Sequence, residues 1–204
     1  MGRAAIVTGG GSGLGRSISL KLADDGHRVA VLDVNAENAA AVAAEIRAAG
    51  GAAEPVGGDV SDDWPYHAAA SVIRAHSLLR SFPEVTADRT AVTGISWGGY
   101  TTCLVASLDD RFRAAVPVYG CGFLFEGESV QKPSIDNLGE RRKDWIKAYD
   151  PSSLLKRCRV PILFVNGTND IHYPLDSYQK SFDVVPGHKQ IRIEVNMRHG
   201  HPPG

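Results

Sequence analysis

Cysteine is scarce in this sequence, with three residues, Cys103, Cys121 and Cys158, in 204. An odd, scattered set argues against a disulfide framework, fits a reducing cytoplasm and lacks the paired spacing of a zinc site. Neither sign of charge dominates. The formal net charge is -1, so there is no basic field for nucleic acid or for an acidic membrane surface. No apolar run approaches the roughly 20 residues of a membrane span. The apolar stretch that ends at Val7 is too short for a secretory signal. Internal repeats and low-complexity tracts are missing as well. What remains is an ordinary globular composition, 43% apolar and 22% charged, in a chain long enough for one large domain. The expectation is a cytoplasmic protein whose partner is a small molecule.

Short apolar runs alternate with longer amphipathic stretches. The runs are Ala4–Thr8, Arg28–Asp33, Thr90–Thr93, Ala114–Tyr119, Pro161–Val165 and Ile191–Val195, with a weaker one at Ala53–Val56. Runs this continuous predict strands buried on both faces of a parallel sheet. Between them, Leu14, Ile18 and Leu22 repeat every four residues and stop at Gly26, as a helix does. Asn35–Ala49, Tyr66–Phe82 and Tyr100–Leu108 also read as helices. The pattern predicts a doubly wound α/β fold, a mostly parallel sheet with helices on both faces, in three layers. It forms one domain of two halves, 1–61 and 62–204, joined by the turn-rich stretch Gly57–Pro65. Residues Cys121–Leu155 are long and mixed for a connection, a candidate lid or pocket wall or, equally, a surface helix with its loop.

Residues Ala5–Gly15 read A-I-V-T-G-G-G-S-G-L-G. A strand runs into glycines and then into a helix. Glycine permits positive φ and leaves room for a pyrophosphate to approach the backbone. The helix N-terminus adds unpaired N–H groups and the positive end of a dipole. Asp33 ends the next strand 18 residues after Gly15, near the spacing of an acid that binds ribose hydroxyls. Together with Gly58-Asp59-Val60, this segment resembles the start of a short-chain dehydrogenase/reductase over roughly residues 3–61. That resemblance implies that Gly9, Gly13 and Gly15 hold dinucleotide phosphates. It also implies that Asp33 favours NAD over NADP, with Asp59-Val60 beside the adenine. It does not extend to the family's chemistry. No tyrosine is followed four positions later by lysine, and the Asn-Ala-Gly segment expected after the fourth strand is missing.

Farther on, Gly94-Ile95-Ser96-Trp97-Gly98 is a Gly-x-Ser-x-Gly between an apolar run and a helical stretch, the setting of a nucleophile elbow. The elbow holds its serine on a sharp turn, so its neighbours must be small. Gly94, Gly98 and Gly99 meet that need. An acid and a base then have to follow in the order Ser, Asp, His. Asp170 stands after the run Pro161–Val165, and His199 stands after Ile191–Val195. Ser96 needs an imidazole to take its proton, and Asp170 would orient that imidazole and stabilise its cation. Each residue alone is more often a solvated loop residue. Three in this order, each just past a strand, point to a catalytic triad.

Residues from about Asp62 onward resemble the α/β-hydrolase superfamily, in its acetyl xylan esterase, dienelactone hydrolase and prolyl-oligopeptidase-like branch. The resemblance rests on Gly94–Tyr100, Phe112–Val116, Asp150-Pro151-Ser152, Pro161–Asp170 and His199-Gly200-His201. It implies that Ser96, Asp170 and His199 are the triad. His201 is the rival base, and His199 is preferred because the family's base is commonly followed by glycine. The family's opening strands, which supply half the oxyanion hole, are replaced here by the dehydrogenase-like half. The closing helix after the base is also missing, and a homodimer is expected to cover the apolar face so left. The sequence looks like a natural or engineered chimera of two α/β proteins. If the elbow strand takes the fourth place in the Rossmann half, the glycine loop faces Ser96. Trp97 and Gly10 are then the expected oxyanion donors. The reading is a serine esterase working through an acyl-enzyme, with no cofactor required for hydrolysis. The alternatives are an NAD-binding, dehydrogenase-like protein without its Tyr and Lys, or an inactive scaffold.

Overall fold

The computed structural model describes residues 4–33, 35–57 and 64–199. In chain order its elements are β1 (Ala4–Thr8), α1 (Gly13–Asp24), β2 (Arg28–Asp33), α2 (Ala36–Ala48), β3 (Ala52–Gly57), α3 (Trp64–Ser81), β4 (Ala91–Ile95) and α4 (Trp97–Leu108). Then come β5 (Ala114–Val118), α5 (Lys132–Asp136), a 3-10 turn at Gly139–Arg141, α6 (Arg142–Tyr149), α7 (Pro151–Leu155), β6 (Ile162–Asn169), α8 (Leu175–Val184) and β7 (Lys189–Arg198). Two compact units are present, Met1–Thr93 and Gly94–Gly204. The division falls within β4, later than the 61/62 junction that the turn-rich stretch suggests. The physical reason is that α3, which follows that stretch, packs against β1 and so belongs with the first unit.

In the first unit, β2 lies between β1 and β3 and pairs in parallel with both, from Ala4↔Arg28 and Arg28↔Ala52 onward. Val29, Val31 and Ala53 point to one face, where they are buried with Ala39, Val42 and Ile46 of α2. The Asn35 side chain caps α2 by accepting from the Asn38 amide at 3.0 Å, satisfying one of the orphan N–H groups of the first turn. On the other face, Ala30 and Val56 with Leu78 and Leu79 of α3 bound an open groove of about 590 Å³. Helices therefore stand on both faces of this three-stranded part, as the doubly wound pattern requires.

The second unit repeats the scheme, with parallel pairs β5·β6 and β6·β7. Here α4 packs on β5, and α8 packs on β6 and β7. Phe164, Tyr178, Leu104, Leu124 and Leu155 are fully or almost fully buried. The connection 121–155 folds into short helices rather than one surface helix. It is tied down by Asp150, whose Oδ1 accepts from the Phe123 and Ser152 amides at 2.9 Å each.

Burial differs from the expected pattern. The runs predict strands covered on both faces, but β4 and β5 alternate buried and more exposed residues. β7 is an edge strand with no buried residue, and Val195 is 78% exposed. A continuous apolar run does not distinguish two covered faces from one. Two boundaries also move. Helix α4 begins at Trp97 rather than Tyr100, because Gly98 and Gly99 sit inside it. Strand β6 runs on through Asn166–Asn169. All three cysteines are unpaired and buried. Among the described residues no helix is long and apolar enough to cross a membrane, and no cluster of potential metal ligands occurs.

Beneath α4 two stretches of backbone cross in direct contact. A Cβ added to Gly120 would lie 2.2 Å from Gly99 C, and one added to Gly99 would lie 2.5 Å from Val118 O. Replacing Gly120 with alanine should cost about 3 kcal/mol, read as a lower midpoint in urea unfolding followed by circular dichroism. A midpoint equal to the parent's would show that the crossing tolerates separation.

Candidate active site

Strand β4 delivers the chain into a turn at Ser96, whose backbone has φ 59° and ψ -122°. Few residues other than glycine adopt this conformation. It is held by two backbone bonds. Ser96 N–H donates to Val118 O at 2.9 Å, and Ser96 O accepts from Tyr100 N–H at 2.9 Å. A strained strand-to-helix turn of this kind over a glycine crossing is the backbone geometry of a nucleophile elbow.

Ser96 Oγ lies 2.8 Å from His199 Nε2. His199 Nδ1 lies 3.0 Å from Asp170 Oδ2. The second carboxylate oxygen of Asp170 accepts from the amides of His172 at 2.8 Å and Tyr173 at 3.0 Å. Asp170 is buried, and its oxygens are fixed by three donors. The imidazole therefore keeps its Nδ1–H toward Asp170 and offers Nε2 as the acceptor for the Ser96 hydroxyl. The three residues come from the ends of β4, β6 and β7, and all lie in the second unit. The end of β7 is steered by an irregularity in its pairing with β6 between Gly167 and Asn169. There Asn196 has φ 63° and its N–H donates to Thr168 Oγ1 at 2.8 Å. The rival base, His201, lies outside the described residues.

Three neighbours escaped the sequence reading. The His172 ring lies over His199 with centroids 4.4 Å apart. Tyr119, itself at φ 49°, stands edge-on to His199 at 5.3 Å. Tyr173 flanks it at 5.7 Å and meets the Trp97 ring at 6.5 Å. The available signal was proximity in sequence, since His172 and Tyr173 share the loop of Asp170.

Trp97 opens α4 directly after Ser96, so its amide sits at a helix N-terminus, as an oxyanion donor requires. Gly10 does not serve as expected. Its N–H is spent on Leu32 O at 2.9 Å, and that of Gly11 on Asp33 Oδ2 at 2.9 Å. The loop uses these two donors to tie itself to the end of β2.

The rest of the glycine loop is open at two positions and closed at a third. Gly9 and Gly13 have φ 68° and 49°, with open space where a Cβ would stand. Gly15 has its missing Cβ 2.0 Å from Gly9 O, so helix and loop touch there. The Asp33 carboxylate stands at the end of β2 and also accepts from Asn35 N–H at 3.0 Å. Gly58, Asp59 and Val60 lie outside the described residues.

Two outcomes follow from this geometry. Replacing Ser96 with glycine relieves the turn, and a net stabilisation of about 1 kcal/mol is expected, seen as a higher urea midpoint. No gain would mean that the turn is not strained. His172 is held below its ordinary pKa of 6.5 by partial burial and then by His199, with Asp170 opposing. The unfolded imidazole takes its proton first, so this contribution is present above pH about 6.5 and lost as pH falls through that value. His172→Gln should flatten the acid-side decline in melting temperature. An unchanged slope would remove His172 from the titration.

Two family models match separate parts of the chain. The short chain dehydrogenase model matches residues 3–78, and that of the PhoPQ-activated pathogenicity-related protein matches residues 130–202. The second span contains Asp170 and His199 but not Ser96. Among curated proteins, 2,5-dichloro-2,5-cyclohexadiene-1,4-diol dehydrogenase LinX of Sphingobium indicum is 45% identical over 73 residues. That alignment covers 35% of this chain and 29% of that protein. Among solved structures, acetyl xylan esterase 1 from Thermoanaerobacterium sp. JW/SL YS485 aligns with TM-score 0.56 and 20% identity, over 71% of this chain and 52% of that one. The acylaminoacyl peptidase of Pyrococcus horikoshii aligns with TM-score 0.63 and 18% identity, over 98% of this chain and 33% of that one. The chain thus spans about a third to a half of the length of these proteins, and the structural likeness is one of fold. It joins an N-terminal segment of short-chain dehydrogenase type to the fold of the α/β hydrolases.

Proposed function

We propose that this chain is a serine hydrolase that cleaves carboxylic esters through an acyl-enzyme. The observation that carries the proposal is the relay of 2.8 Å and 3.0 Å from Ser96 through His199 to Asp170. A serine hydroxyl is a poor nucleophile until a base takes its proton. Here the Ser96 proton passes to His199 Nε2 as Oγ bonds to the carbonyl carbon, and the carbonyl π pair moves onto oxygen. The Asp170 carboxylate stabilises the imidazolium without taking its proton. The Trp97 amide is the first oxyanion donor. Collapse expels the alcohol, which leaves with the proton from His199. Water then repeats the sequence to free the acid and Ser96. The esterase and peptidases that share the fold support hydrolysis as the reaction class, and small activated esters are the substrates to try first.

The decisive comparison is hydrolysis of p-nitrophenyl acetate by the purified chain and by Ser96→Ala, both checked for folding. Loss of roughly 10⁴-fold or more of the rate is expected for the variant. Equal rates in two folded proteins would end the proposal.

A second reading has its own support in the first unit, where open space over Gly9 and Gly13 and the Asp33 carboxylate at the end of β2 suit the adenosine diphosphate half of NAD. When bound, NAD would supply hydride acceptance. This chain's contribution would be to hold it, with the loop backbone around Gly9, Gly13 and Gly15 at the phosphates and Asp33 at the ribose. A change in NADH fluorescence that NAD competes away is expected. No change at millimolar nucleotide would remove the reading.

A further inference from the structure

Tyr173 is fully buried, and its hydroxyl has no hydrogen-bond partner. Folded proteins rarely leave such a group unmet, and an exception calls for a reason. Its main chain leaves the ring little freedom. Tyr173 N–H donates to Asp170 Oδ1 at 3.0 Å, and Tyr173 O accepts from Asn166 Nδ2 at 2.7 Å. The ring is walled by Trp97 and His199, the neighbours of Ser96 in sequence and in the relay. Of the polar side chains that bear on the phenol, the one hydroxyl is that of Ser96.

We infer that the Tyr173 hydroxyl is a catalytic hydrogen-bond donor to Ser96 Oγ, held without a partner in the resting state and engaged when that oxygen loses its proton. The inference rests on the hydrolase reading. In the resting site the Ser96 O–H points to His199 Nε2, and a neutral hydroxyl oxygen is a weak acceptor. As the proton moves to His199, Oγ gains negative charge and becomes a strong one. Tyr173 then donates to it while keeping its own proton. Burial above all holds its phenol well above the ordinary range, so it remains a donor throughout. The same bond forms again when Oγ leaves the acyl group in the second half of the cycle. The hydroxyl is shielded from solvent, so a substrate carbonyl cannot reach it but Ser96 can. This separates its role from that of the Trp97 amide, which faces the carbonyl oxygen.

The test uses the full chain, with Tyr173→Phe and a version carrying 3-fluorotyrosine at position 173. A fluorophosphonate that labels serine nucleophiles reports the reactivity of Ser96 by mass spectrometry, and p-nitrophenyl acetate reports turnover. Tyr173→Phe should lower kcat and the labelling rate by roughly 10- to 100-fold, the range for a hydrogen bond to a charged group. KM should stay unchanged, and the melting temperature should be equal to or above the parent's, because no bond of the resting state is lost. The fluorotyrosine protein keeps the hydroxyl and should keep most of the rate. Labelling at the parental rate in Tyr173→Phe would overturn the inference and leave the hydrolase reading standing. A parent that is not labelled at Ser96 would overturn both. If Tyr173→Phe is slow only because it is unfolded, the fluorotyrosine protein decides. A rate that follows the acidity of its phenol supports donation, and a rate indifferent to it refutes the inference.

Discussion

The site depends on one close approach, that of Gly99 in α4 to Gly120 just past β5. With no side chain on either residue, the helix lies on the backbone after the strand, closer than any Cβ allows. That closeness is what lets Ser96 N–H reach Val118 O and the helix begin at once at Trp97. The cost is a serine at φ 59°, a conformation worth of order 1–3 kcal/mol that the surroundings must offset. They do so with buried packing. Tyr100, Cys103 and Leu104 on the same helix are buried, and the Tyr178 hydroxyl accepts the Gly120 N–H at 2.6 Å and donates to Val165 O at 3.0 Å. One tyrosine thereby links the crossing to β6, the strand that carries Asp170.

The two units use glycine for opposite purposes. In the second, Gly99 and Gly120 let two pieces of backbone touch. In the first, Gly15 does the same for α1 and its loop, but Gly9 and Gly13 leave open space above themselves. Filled contact builds a scaffold, while open space over a helix N-terminus leaves room for an anion. The donor that looked available at Gly10 is one the fold consumes, as it consumes that of Gly11. A glycine in a loop reveals that a side chain is unwelcome. It does not reveal whether the neighbouring amide is already bonded.

Much of the fold was legible because strand and helix periods differ. β1 and β2 have the expected ends, and α2 lies within the expected stretch Asn35–Ala49. Ser96, Asp170 and His199 could be singled out because a triad needs three residue types in a fixed order past three strands. What stayed hidden depends on tertiary context. Asn166–Asn169 reads as a polar loop, yet it continues β6 because β7 supplies the pairing. Ile191–Val195 reads as a buried run, yet it lies at an edge. Tyr173 reads as an ordinary aromatic residue, and its buried hydroxyl and its ring contacts with Trp97 and His199 are facts of three-dimensional placement.

The edge position of β7 has a consequence for how the protein would fail. His199 is held at the end of a strand that pairs with β6 and has no buried residue of its own. Asp170 is itself buried, and Ser96 is tied by backbone hydrogen bonds to Val118 and Tyr100. Local opening follows burial, and the least buried segments open first. His199 is therefore mounted on the part of the unit that detaches most cheaply, while Ser96 and Asp170 stay in place. Loss of the His199 contacts and loss of the fold become separate events, and the first precedes the second.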